Sequence, residues 1–390
     1  MPLKIVYIAP YYSEAVRRDL RLTAEFSPAG LNKTRGIAAC IPPDFELTLF
    51  STGYSMRSGF GRIVRREETL MSGGRPVPVI YPGYRAVRYV SFLEIAAAAF
   101  LECRRLKPDL VIFYNFRIET LVPALLAKLF GGARIICQFE DGLQVVFPPG
   151  APRRLAFQAL YHLGKRLCDG FTLVNGSLRG EFPASRSVVI PIILPDRAGV
   201  VPHFATLDLS SKPVVKIAYS GSLDRQRGAD IFLEATRRLR KNPRLRFLMT
   251  GRGPLAEQAR TQAKSQGNLE FGGLLDDRQF AAFLRDVDIL VNPQKLGHPF
   301  ARYSFPSKVA SYILLNKPIV STAFSDISDV PAPGLFFYGD DDPADLSRVL
   351  EELADREIDV DYRALFEKFS ESKTREALRK LFQRLAAARP

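Results

Sequence analysis

Several stretches of this 390-residue chain bring together residue types that could do chemistry. In Phe305-Pro-Ser-Lys308, Pro306 suits the first turn of a helix. Val309, Tyr312 and Ile313 follow at helical spacing, and Asn316-Lys317-Pro318 ends the run. Such a helix start offers free backbone N–H groups, the Ser307 hydroxyl and the Lys308 cation at one point, which suits an anionic phosphate. Gly221-Ser-Leu-Asp-Arg-Gln-Arg-Gly228 follows an apolar run at 214–219 and can wrap backbone N–H groups around a diphosphate. Gly251-Arg-Gly253-Pro-Leu-Ala256, with Glu270 further on, satisfies the dinucleotide pattern G-x-G-x-x-A. An NAD-dependent enzyme is therefore an alternative reading, although the pattern sits on the second βα turn of its half. Glu140-Asp141 ends the apolar run 133–139 and could orient an acceptor hydroxyl or take its proton; Asp141-Gly142 also suits a plain turn. Asp340-Asp-Asp342 before Pro343 reads as a helix cap in preference to a metal site.

The elements that must position these residues alternate. Apolar β-type runs at 3–9, 45–50, 109–114, 133–139, 171–174 and 188–192 are separated by helical patterns at 34–40, 91–106, 119–130 and 152–167. Strict alternation means βαβ units and a parallel sheet, with ligands at the carboxyl ends of the strands. Asn115 lies at one such end. The second half repeats the scheme from residue 214. The fold class expected is α/β, with two Rossmann-like domains facing a cleft: 1–195, a linker at 196–213, 214–369, and a C-terminal helix at 370–390 that could cross back to the first domain.

Composition narrows the function. The four cysteines form no CxxC pair and the three histidines are scattered, which suits buried thiols in a reduced compartment. No apolar run approaches the ~20 residues of a membrane span, so a cytoplasmic protein, at most peripheral on the inner face of the plasma membrane, is expected. The formal net charge is +14, and the first 195 residues carry 25 Lys+Arg against 15 Asp+Glu, so the first half should meet an anionic partner. Residues 51–75 break the alternation, with Arg57, Arg62, Arg65 and Arg66 among Met56, Phe60, Ile63 and Val64. Arg85 and Arg88 stand among Tyr81, Tyr84, Tyr89 and Phe92, and the 152–167 helix is basic as well. These patches read as solvated loops or as an electrostatic anchor on an anionic membrane surface. No nucleic-acid recognition motif is present, so charge alone makes no case for that partner.

Taken in order, residues 214–219, Gly221 to Gly228, Gly251 to Leu255, Phe271-Gly-Gly-Leu-Leu275, 288–293, Phe305 to Lys308 and Lys317-Pro-Ile-Val320 resemble the nucleotide-binding half of a GT-B glycosyltransferase of the retaining family 4 type. The resemblance implies sugar transfer from a nucleotide-diphosphate donor to a lipid-linked or polysaccharide acceptor. The donor would be a co-substrate, with no further cofactor and no metal. It implies a first domain that binds the acceptor and a second that binds the donor. Relatives place basic residues just after the first glycine of the 221–228 loop and just before its last. Those slots hold Ser222 and Arg227, with Arg225 a substitute cation. The base would lie near Leu274 and the donor sugar near His298, Arg302 and Tyr303. Relatives also carry two glutamates whose slots here hold Tyr303 and Ser311, and a histidine near the position of Glu140-Asp141. The segment with Gly30, Asn32 and Lys33, expected to lead into the 34–40 helix, would lie against donor and acceptor. A non-catalytic GT-B-like binding protein is the other alternative.

Overall fold

The computed structural model describes residues 2–19, 28–52, 62–85, 87, 90–140, 142, 152–196, 204–324, 326–339 and 341–387. The chain forms two units, Met1–Ile193 with Glu371–Pro390, and Leu194–Ser370.

The first unit runs β1 (Lys4–Ala9), α1 (Glu14–Asp19), α2 (Pro28–Cys40), β2 (Glu46–Ser51), β3 (Arg62–Ile63), β4 (Arg66–Ser72), β5 (Arg75–Tyr81), β6 (Tyr84–Arg85), α3 (Val90–Leu106), β7 (Leu110–Tyr114), α4 (Ile118–Gly131), β8 (Arg134–Phe139), α5 (Pro152–Leu167), β9 (Gly170–Leu173) and β10 (Ser187–Val189). Eight of these strands form one sheet in the order β10-β9-β8-β7-β1-β2-β5-β4, parallel throughout except for β4 against β5. The central strands are continuous apolar runs because helices cover both faces. On one face Tyr7, Leu49, Val79 and Ile112 pack with Leu31 and Ile37 of α2 and with Leu378, Leu381 and Phe382 of the last helix, Glu371–Ala387. α3, α4 and α5 belong to the other layer, where Ala99, Cys103, Leu121 and Ala124 are buried. All four cysteines are buried free thiols.

Three elements differ from the sequence expectation. α2 begins at Pro28, not at residue 34, so Gly30, Asn32 and Lys33 lie within the helix; proline at a first turn fits. The supposed pattern break after residue 51 holds a hairpin, β4–β5, turned by Gly73 (φ 57°) and Gly74 (φ 78°). β11 (Ala205–Asp208) forms inside the expected linker because it finds an antiparallel partner in Glu357–Val360. Three arginines expected to form an electrostatic anchor are engaged with carboxylates: Arg65 with Glu67 and Glu102, Arg66 with Asp19, and Arg85 with Glu94. Arg57 and Arg88 lie outside the described residues.

The second unit continues with β12 (Val215–Ser222), α6 (Ala229–Arg238), β13 (Leu245–Arg252), α7 (Ala256–Ser265), β14 (Leu269–Phe271), α8 (Asp277–Arg285), β15 (Ile289–Asn292), α9 (Pro299–Arg302), α10 (Lys308–Leu314), β16 (Ile319–Thr322), β17 (Leu335–Tyr338), α11 (Pro343–Ala354), β18 (Glu357–Val360) and α12 (Arg363–Phe369). Its six-stranded sheet, β14-β13-β12-β15-β16-β17, is wholly parallel. Asp342 caps α11, its carboxylate accepting from the Ala344 N–H at 2.8 Å. Asp340 lies outside the described residues.

Candidate functional site

In the second unit the strand order reverses between β12 and β15, and ligands of such sheets bind where the carboxyl ends diverge. The 221–228 loop leaves β12 at that point. It is held by backbone contacts that tolerate no side chain. Gly228 has φ 71°, and a Cβ there would stand 1.6 Å from the Pro293 carbonyl oxygen. Gly251 pairs in register with Gly221, and its Cβ would stand 1.8 Å from the Gly221 oxygen. A Cβ on Gly253 would meet the Leu223 oxygen at 2.6 Å. The two glycines that suggested a dinucleotide fingerprint thus let the second βα turn pack against the first.

Lys308 opens α10, two residues later than the helix start expected at Pro306, after a tight turn in which the Pro306 carbonyl accepts the Val309 N–H at 2.9 Å. Its amine lies 4.0 Å from the centre of the Tyr219 ring and 3.8 Å from where a Cβ on Gly221 would be. Nζ is buried and has no hydrogen-bond partner among the described residues. Its pKa is lowered to about 7, first by burial and then by the neighbouring charge of Arg227, with Asp224 opposing the shift. Tyr312, one turn along, fixes α10 to β12 through a 2.8 Å hydrogen bond with the Ser220 hydroxyl. The loop braces itself, since the Arg227 N–H donates to Asp224 Oδ1 at 2.8 Å. Arg225 lies 3.6 Å from Asp230, which also pairs with Lys295 at 3.0 Å.

The other expected donor residues differ in exposure. Leu274 is exposed beside a strand end clamped by Gly251 N–H and Thr250 Oγ1, both donating to the Gly273 oxygen. Ser222, Ser307, Arg302 and Ser311 are exposed, and His298 and Tyr303 are partly covered. The Ser307 side chain makes no capping hydrogen bond at the start of α10. The buried neighbours Tyr219, in β12, and Tyr312, in α10, were not expected at the site, because a tyrosine within an apolar run looks like core.

The first unit gathers its own polar group. Asn115 adopts φ 55° just after β7, and its Oδ1 accepts the Glu140 N–H at 2.8 Å. Glu140 accepts from Gln138 Nε2 at 2.8 Å and lies 3.8 Å from Lys33 Nζ. Tyr7 donates to Gln138 in turn. Lys33 also donates to the carbonyls of Ile190 and Pro191. Burial lowers the Lys33 pKa, and Glu140 partly offsets the shift. Gly30 sits on the same helix, 3.5 Å from the Tyr114 hydroxyl by its missing Cβ, and Asn32 is exposed. Asp141 lies outside the described residues.

Residues 214–356 match the family described as Glycosyl transferases group 1. No curated protein matches the chain. Its fold is similar to that of Anabaena HepE solved in complex with UDP, at 12% identity over 98% of this chain and 100% of that one, TM-score 0.61. A glycosyltransferase from Rickettsia africae is 11% identical over 100% of both chains, TM-score 0.63. WaaB, a lipopolysaccharide outer core galactosyltransferase solved in its apo form, is 12% identical over 98% of this chain and 99% of that one, TM-score 0.58. The fold class is therefore that of the GT-B glycosyltransferases, α/β with Rossmann-like sheets, and the family match supports a protein of that type.

Proposed function

We propose that this chain transfers a sugar from a nucleotide diphosphate to a hydroxyl of a lipid-linked or polysaccharide acceptor, in envelope or exported-polysaccharide synthesis at the cytoplasmic face of the membrane. The observation that carries the reading is the buried Lys308 amine, without a hydrogen-bond partner among the described residues, beside the glycine loop at the switch point. A diphosphate placed there would meet that amine, the Arg227 guanidinium and those loop N–H groups that do not donate within the protein, as Leu223, Arg227 and Gly228 do. Such groups stabilise negative charge as it develops on a leaving diphosphate. UDP bound to HepE, and UDP with glucose in a second structure of that protein, agree with this ligand chemistry. We assign the donor to residues 214–369 and the acceptor to residues 1–195, with retention of anomeric configuration and no metal requirement. Glu140 would orient the acceptor hydroxyl, and Gly30, Asn32 and Asn115 would shape its site.

Thermal-shift screening of UDP-, GDP- and ADP-sugars tests the class of ligand. Lys308→Ala and Arg227→Ala should each weaken binding of the selected donor by about 1.5–3 kcal/mol with the fold retained. Unchanged affinity in both variants would remove the site assignment. Turnover should survive chelation of divalent cations; a strict Mn²⁺ or Mg²⁺ requirement would overturn the metal-independent reading.

A further inference from the structure

α4 carries apolar residues around its whole circumference. Its inner side is covered, with Leu121, Ala124 and Ala127 buried, yet its outer side continues Ile118, Val122, Leu125, Leu129 and Phe130 at helical spacing. Leu129 and Phe130 are each 74% exposed. The charged side chains nearby do not solvate this face, because Glu119 is paired with Arg117, and Lys128 with Asp169. A helix apolar all round normally has something on every side.

The flanking helices extend the same surface. Leu93 and Leu101 of α3, spaced to lie on one side of that helix, are 64% and 62% exposed. Leu155 and Leu163 of α5, with the same spacing, are exposed too. Phe100 and Phe130 join the first two helices, with ring centres 6.2 Å apart. Lys128 donates to the Leu167 carbonyl at 2.8 Å and joins α4 to α5. Single exposed leucines need no explanation, but aligned stripes on three adjacent helices do.

Charge selects the occupant. The carboxylates described on these helices, Glu94, Glu102 and Glu119, are each engaged by arginine. Arg104, Lys107 and Arg166 are exposed at the carboxyl ends of α3 and α5, while the exposed Arg105 pairs with Glu102 at 2.8 Å. A second copy meeting this face across a two-fold axis would bring basic rims towards each other. A bilayer with anionic headgroups complements both the apolar centre and the rim. We propose that the outer face of α3, α4 and α5 docks on an anionic lipid surface, led by apolar side chains and assisted by the basic rim. This anchor differs from the arginine-rich segments around residues 57–66 and needs nothing from the sugar-transfer reading.

Flotation of the full chain with phosphatidylcholine vesicles, with and without a third of phosphatidylglycerol, tests it. The protein should float with the anionic vesicles and less so as salt rises. Leu129→Asp with Phe130→Asp should reduce partitioning about tenfold or more. The rim variant Arg104→Glu, Arg166→Glu should weaken it and lessen its salt dependence. All these positions are exposed, so matching melting curves are expected and check the fold. Absence of flotation, equal flotation on neutral and anionic vesicles, or flotation that both variants leave intact would overturn the proposal. So would a sedimenting dimer that the double Asp variant dissolves while wild type ignores lipid, which would give the face to a second copy.

Discussion

Lys308 and Lys33 are both buried amines beside the carboxyl ends of parallel sheets, yet their surroundings differ in kind. Lys33 meets two backbone carbonyls and lies near Glu140, which is itself hydrogen-bonded by Gln138 and anchored through Asn115. Lys308 meets an aromatic face and glycine backbone, with no acceptor for its protons among the described residues. A buried polar group without a partner costs free energy, so a fold keeps one only where something else repays it. The first lysine is satisfied within its unit, whereas the second is the amine that the proposed function gives to an anion.

The comparison can be broken most severely through the backbone that leaves Lys308 unpartnered. Gly228→Ala should cost about 3 kcal/mol or more, since the new Cβ collides with the Pro293 carbonyl and the residue keeps a left-handed φ. Urea unfolding measures this, and a loss below about 1 kcal/mol would show that the loop relaxes freely.

Removing the Lys33 partner comes next. Glu140→Ala should destabilise by about 3 kcal/mol, the low end for a broken buried pair because the Lys33 amine retains two carbonyls. Glu140→Gln, which can still accept from Gln138, should restore most of that stability. If it also restores turnover, Glu140 is structural; lost turnover at normal stability would assign it to the acceptor.

Lys308→Met should do the opposite to stability. The native lysine has a folded pKa of about 7, below its unfolded value, so the folded protein binds fewer protons between about pH 7 and 10 and its stability rises with pH through that window. The variant escapes this penalty, so its gain in melting temperature should be larger at pH 6 than at pH 9. Nucleotide-sugar affinity should drop by about 1.5–3 kcal/mol, read by calorimetry. A variant less stable than wild type at pH 6 would refute the unpartnered-amine reading.

The smallest effect is in pH alone. A bound diphosphate favours the charged amine, so binding takes up a proton and affinity should fall as pH rises above about 7, by at most about tenfold per unit. Heats of binding in buffers of different ionisation enthalpy count that proton. A result of zero uptake at pH 8 would mean that Lys308 is already charged before the ligand arrives.

The alternation of apolar runs with helical patterns determined most elements of both units, since β1, β7 and β8 are runs that only a doubly covered parallel strand needs. The same local chemistry marked the 221–228 loop, Lys308 and the Asp342 cap. Elements that depend on distant partners stayed hidden. β11 is a strand because residues 357–360 pair with it, and β4 is an edge strand whose residues alternate in exposure without an apolar signature. Residue type could name Lys33, Glu140 and Lys308 as candidates, but it could not say which amine is satisfied. That was decided by the tertiary structure alone, because a hydrogen bond forms between groups that folding brings together, whatever their separation along the chain.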